Sequence, residues 1–198
     1  MSDIRDALKE LSLVHDKYQI DGCYRALHAA ESNWPAELPR SIETDLFYDE
    51  YDPCGVRLET GLTPLKMFDL ASLKKAQLGY RWVNSAESVV LNDDWPHQHL
   101  VIMDDSGGGK PIIAVTDVEK TPVFASYDVV ECFQVADSLA DFILALARLV
   151  DIVYGRFNIF DISSDEGVSS IFLTLLNEEV TPILGEHNAA RFVDYFYG

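Results

Sequence analysis

Three apolar runs and one capped helix decide the reading of this chain. The runs are Leu100-Val101-Ile102-Met103-Asp104-Asp105, then Pro111-Ile112-Ile113-Ala114-Val115-Thr116-Asp117, then Pro122-Val123-Phe124-Ala125-Ser126-Tyr127. Ser106-Gly107-Gly108-Gly109 separates the first two, and a turn around Glu119-Lys120 separates the second pair. Short apolar runs bounded by glycine, proline and aspartate predict strands joined as antiparallel hairpins. The next segment begins with Ser138 and Asp141, a spacing that suits a helix N-terminus. Leu139, Phe142, Ile143, Leu146, Leu149, Val150 and Val153 then form one apolar stripe, and Gly155 ends it.

Working outward, residues 3–18 predict a helix with Ile4, Leu8, Leu11 and Val14 or His15 on one face. Cys23, Leu27, Ala30 and Trp34 recur at spacings of four, three and four, which predicts a second helix ending at Trp34-Pro35. Ser41 can cap a third, with Ile42, Leu46 and Phe47 inward and Glu43, Asp45, Asp49, Glu50 and Asp52 outward. Residues 57–67 read as extended, and Asp69 can cap a helix from Leu70 to about Arg81. Residues 84–94 read as a loop. In the tail, Ser163 and Glu166 can cap a helix burying Val168, Ile171, Phe172, Leu175 and Leu176. Gly185 precedes a last helix burying Ala189, Phe192, Val193 and Phe196. Strands that cluster between helices predict an α+β fold, a twisted antiparallel meander flanked by helices. Residues 1–155 form its body, and residues 156–198 are a helical extension packed on the same domain.

Composition narrows function by exclusion. The 198 residues hold 33 acidic and 15 basic side chains, a formal charge of −18. A field of that sign repels nucleic-acid phosphates and anionic membrane surfaces and attracts basic proteins. The longest apolar run, 142–153, contains Arg148 and Asp151 and is too short to span a bilayer. The first residues are polar and charged, unlike a secretory leader. Three widely spaced cysteines make neither a disulfide framework nor a zinc pattern, which suits a reducing cytoplasm. No cofactor motif is present: the 106–110 loop lacks phosphate-loop spacing and precedes a strand where such a loop needs a helix.

The order of pieces resembles the SUKH superfamily, which includes the fungal Smi/Knr cell-wall regulators and many bacterial immunity proteins. The similarity spans roughly residues 20–150. It rests on Leu38-Pro39 and the helix after it, Leu65 to Leu70, Trp95-Pro96 before the first run, Pro111-Ile112, residues 122–127 and the helix from Ser138. Where the family often has a glycine-rich turn and an aromatic strand, this chain has Cys54-Gly55-Val56-Arg57-Leu58. The resemblance implies a non-enzymatic binding domain that neutralises a cognate toxin by contact. The charge suits a basic toxin, such as a nuclease. A regulatory scaffold of the same fold is the alternative, and either a monomer or a homodimer fits.

Candidate contact residues follow from charge with interleaved tyrosine: Asp45, Tyr48, Asp49, Glu50, Tyr51 and Asp52 on the third helix, and the pairs Asp93, Asp94 and Asp104, Asp105. His97 and His99 form an HxH before the first run and raise the option of a metal-dependent hydrolase. Asp104 lies about 16 Å farther along an extended strand. The histidines therefore read better as strand-flanking side chains, with no metal and no catalytic residue assigned.

Overall fold

The computed structural model describes residues 3–28, 33–85, 88–127, 131–165 and 167–198. Helix α1 (Ile4–Lys17) leads to β1 (Cys23–Arg25), α2 (Ile42–Tyr51), β2 (Asp52–Cys54), β3 (Arg57–Leu58), β4 (Leu65–Met67) and α3 (Leu70–Ala76). There follow β5 (Trp82–Asn84), β6 (Val89–Leu91), β7 (His99–Asp105), β8 (Ile112–Val115), β9 (Val123–Tyr127), β10 (Glu131–Ala136) and α4 (Leu139–Gly155). A short hairpin, β11 (Ser163–Ser164) and β12 (Gly167–Val168), precedes α5 (Ser170–Tyr197). The fold is α+β, built on a six-stranded antiparallel sheet ordered β10-β9-β8-β7-β4-β3.

Side chains alternate across a strand, so the sheet has two faces to cover. Leu100, Ile102, Ile112, Ala114, Val123, Ala125 and Val135 face the main core with α1, α4 and α5. Val101 and Ile113 face the other way, under Tyr80 and Trp95, with Phe68, Phe124 and Cys132 at the margin. Burial on both faces explains why β7 and β8 read as continuous apolar runs. Helix α4 runs through the centre. Its predicted stripe is buried, and so are Ala140, Ala145, Ala147 and Ile152, because α1 and α5 pack on it from different sides. Helix α5 is broken at Gly185, whose φ of 75° and ψ of 159° are non-helical.

Among the described residues β7 is the longest strand, and β4 pairs only its final part: Met67 lies opposite Met103, Lys66 opposite Asp104 and Leu65 opposite Asp105. Side chains satisfy the edge beyond. The Gln77 amide donates to the Val101 carbonyl at 2.8 Å, and Gln77 Oε1 accepts the Val101 N–H at 3.0 Å. The Trp95 indole N–H donates to the His99 carbonyl at 3.2 Å. Gln77 also donates to the Leu73 carbonyl, tying the end of α3 to the centre of the sheet. Between Val101 and Met103 the register with β8 shifts. Met103 thereby joins the main core with Ile102, while Asp104 meets Tyr80 on the other side.

Several expected elements differ. The second helix is replaced at its start by β1, which pairs with β2 through Cys23 opposite Cys54 and Arg25 opposite Asp52. Tertiary pairing overrides a local helical pattern there, and Ala30 lies outside the described residues. Helix α3 stops at Ala76 and not near Arg81, because Gln77 turns to β7 and Tyr80 enters the second core. The expected loop at 84–94 carries β6, paired with β5. The expected third run is followed by a further strand, β10, whose register shift between Gln134 and Ala136 breaks the alternation. In the tail, Ser169 caps α5 in place of Ser163, which sits in β11; Glu166 lies outside the described residues. Ile171 points outward, whereas Phe172, Leu176, Ala189, Phe192 and Phe196 are buried.

The side-chain clamp on β7 has a measurable consequence. Gln77→Ala leaves the N–H and C=O of Val101 buried and unpaired, and should lower unfolding free energy by about 2–4 kcal/mol in urea titration. Leu78→Ala, at the exposed neighbouring position, should cost less than about 1 kcal/mol. Equal losses at the two positions contradict the clamp.

Candidate protein-binding surface

Helix α2 begins with a reciprocal cap. Thr44 N–H donates to Ser41 Oγ at 3.1 Å, and Ser41 N–H donates to Thr44 Oγ1 at 2.8 Å. The cap fixes where the helix starts, and packing fixes its rotation. Thr44, Tyr48 and Asp52 recur every four residues, so they share one row, and that row faces inward. Tyr48 and Asp52 have no exposed surface. They cannot touch a partner, which corrects their assignment as contact residues. Ile42 lies two positions from Thr44, close to the opposite side of a 3.6-residue turn, and is 75% exposed. It was expected inward; Leu46, one turn later, is half-buried.

Asp52 is a structural anchor. Its Oδ2 accepts from Arg25 Nε at 3.0 Å, and its Oδ1 accepts the Leu70 N–H at 2.6 Å, joining β1, the end of α2 and the start of α3. Tyr48 packs edge-on to Trp34 at 5.7 Å, and burial pushes its hydroxyl well above the usual phenol range. Two other acidic residues of α2 are paired with arginines. Arg40 pairs with Asp45 at 2.7 Å, and Arg5 pairs with Glu50 at 2.9 Å. Asp49 is half-buried, and its carbonyl accepts the Leu27 N–H. Tyr51 is half-buried against the core.

The two aspartate pairs also part company. Asp93 and Asp94 are exposed in the turn before Trp95. Asp104 is buried: its Oδ1 accepts the N–H groups of Asp105, Gly109 and Lys110, and its Oδ2 accepts the Tyr80 hydroxyl at 2.5 Å. Asp104 therefore folds the glycine turn and, at 5% exposure, offers a partner almost no surface, which corrects its assignment as a contact residue. Burial raises its carboxyl above the usual range, with the Tyr80 hydroxyl opposing. Tyr80 stands between the pairs, its carbonyl held by the Asn92 amide. Asp105 is half-buried and accepts from Gly107 and Lys110 N–H groups.

His97 is exposed in the turn before β7, and only His99 lies in the strand. The His99 ring sits between Trp95 and Phe124, at 5.7 and 6.2 Å. Among the described residues, no three His, Cys, Asp or Glu side chains gather as a metal site.

A different constellation emerges where the N-termini of α1, α2 and α4 converge. Asp3 caps α1, Ser41 caps α2 and Ser138 caps α4. A cleft of about 470 Å³ opens there, with Ile4, Ile42 and Leu46 among its apolar walls and Asp3, Glu43, Asp137 and Asp141 as its carboxylates; Lys120 also lines it. Neutral donors orient the four carboxylates. Asp3 accepts the Arg5 N–H, Glu43 the Thr121 hydroxyl, Asp141 the Ser138 hydroxyl, and Asp137 the side-chain amides of Gln134 and Asn188. Among the described residues none of the four makes an ion pair, unlike Asp45, Glu50 and Asp52. Helix N-termini favour such negative charge. The arrangement can take an apolar side chain against Ile42 and surround it with carboxylates. Sequence reading missed it because the four carboxylates come from positions 3, 43, 137 and 141. The repeated Ser/Asp caps were visible, but their convergence was not.

The position of His99 predicts a pH effect. Burial lowers its pKa below the usual value of 6.5, with Asp117 opposing. The unfolded chain then takes up a proton before the folded one, so stability is lost as pH falls from about 6.5 through the lowered folded value. The stability advantage of wild type over His99→Gln should shrink between about pH 7.5 and 5.5 in denaturant titrations; a constant difference contradicts this. Compared with family models, curated proteins and solved structures, the chain matches none.

Proposed function

We propose that this chain is a non-enzymatic, cytoplasmic immunity-type protein that binds a basic cognate toxin domain and blocks it by shape and charge. The observation that carries the reading is the helix-end cleft: Asp3, Glu43, Asp137 and Asp141, without ion pairs among the described residues, around an Ile42 that is 75% exposed. An exposed aliphatic side chain in a cleft lined by four oriented carboxylates and Lys120 suits a protein interface, with an apolar contact for affinity and charge for steering. The chain's charge of −18 adds long-range attraction for a basic partner. The SUKH-like order of sequence pieces supports the immunity role. No helix of the described residues is long and apolar enough to cross a membrane.

The cleft replaces the α2 face as the proposed contact. A toxin that holds phosphates must present lysine or arginine, and an acidic rim can occupy that surface in place of nucleic acid.

The test is co-expression with the toxin domain encoded beside this protein. The pair should copurify, and cells should survive the toxin. Ile42→Lys, which adds a cation to the cleft, should slow association at least about tenfold. Asp161→Asn, which makes the same +1 change in net charge at an exposed position outside the cleft, should have a much smaller effect. No copurification and no protection rejects the immunity role. Protection unaffected by Ile42→Lys rejects the cleft as its seat.

A further inference from the structure

We infer that a second surface, on the outer side of α3, docks an acidic, apolar segment of a partner protein, independently of the helix-end cleft. The chain is strongly acidic overall, yet residues 65–85 hold Lys66, Lys74, Lys75 and Arg81 against a single acidic residue, Asp69. The fold gathers these cations around exposed apolar surface. A groove of about 450 Å³ lies between α3 and the β5–β6 hairpin, lined by Ala71, Lys74, Lys75, Leu78, Trp82 and Val89. A second groove of about 280 Å³ lies on the other side of Lys75, lined in part by Lys66 and Phe68. Lys75 belongs to both, so the two are neighbouring parts of one surface.

The apolar content is unusual for a solvated hairpin. Val89 and Leu91 share the Trp82 face of the hairpin and are 54% and 43% exposed, and Leu78 is 42% exposed. The hairpin forms a sheet of only two strands. Contiguous exposed apolar surface with a polar rim marks an interaction site more often than scattered single residues do.

The charges select the occupant. Lys74 pairs with Glu37 at 2.6 Å, but among the described residues Lys66, Lys75 and Arg81 make no ion pair. The Lys66 ammonium sits 5.4 Å from the Phe68 ring centroid, and the Arg81 guanidinium lies 5.7 Å from that of Trp82. The cations are thus held beside the apolar walls. Arg81 donates to the His97 carbonyl at 2.8 Å, so a segment that placed apolar side chains against Leu78, Trp82 and Val89 would set its flanking groups beside Lys66 and Lys75. Carboxylates complete those two cations, whereas lysines there would meet like charge. The surface is therefore opposite in sign to the cleft.

The test uses the full chain and fluorescent peptides of about twelve residues alternating leucine with glutamate, with glutamine and lysine versions of the same peptide. Anisotropy should show the glutamate peptide binding at least about tenfold tighter than the glutamine peptide, and weakening as salt rises. Lys66→Glu with Lys75→Glu should remove that preference, and Lys75→Gln should reduce it. Val89→Asp should weaken binding, whereas Ile42→Lys should leave it unchanged. Thermal unfolding of each variant confirms that it is folded. Equal binding of the three peptides overturns the proposal, as does a glutamate preference that survives both lysine variants. Self-association in sedimentation that Val89→Asp abolishes, without peptide binding, assigns the surface to a second copy and also overturns it.

Discussion

The long edge of β7 is the constraint on which the architecture turns. A buried strand must pair every backbone group, and β4 is too short to do so. Gln77 and Trp95 supply the missing partners from outside the sheet, one at Val101 and one at His99. To reach β7, α3 must end against the sheet, and the chain after β6 must return over it. Tyr80 and Trp95 then cover Val101 and Ile113, and a second small core forms. The register shift in β7 completes the arrangement by turning Asp104 toward Tyr80. One backbone requirement thus places α3, the β5–β6 hairpin and the glycine turn together.

Charge is distributed by the same fold. The acidic residues fall into groups that their positions in sequence do not reveal. Asp52 and Asp104 are internal acceptors that organise backbone amides, and Asp45 and Glu50 are held by arginines. The cleft at the ends of α1, α2 and α4 keeps carboxylates oriented by neutral donors, where negative charge also favours the helix termini. The outer side of α3 carries the opposite sign. A protein whose net charge suggests a single acidic surface thus offers two surfaces of contrasting chemistry.

Legibility varied with the range of the deciding contact. Helix α1, the cap at Ser41, the strands from Leu100 to Tyr127 and the stripe of α4 are written in local spacing, because burying one face of an element demands that spacing. Residues 23–25 are not, since a helical pattern loses there to pairing with β2. Helix α3 ends early because Gln77 has a distant acceptor and donor. The row Thr44, Tyr48, Asp52 was open to a reading by fours, but the density of acidic residues drew Asp52 to the outer face.

The amino-acid sequence by itself determined an α+β chain with capped helices, a central antiparallel meander and a strongly negative charge, since periodicity, capping and charge are properties of near neighbours and of composition. Only the tertiary structure decided that Ile42 is exposed, that Tyr48, Asp52 and Asp104 are buried, and that carboxylates from positions 3, 43, 137 and 141 share one cleft. Those outcomes depend on helix rotation and on which chain ends meet, and both are set by packing across long stretches of sequence.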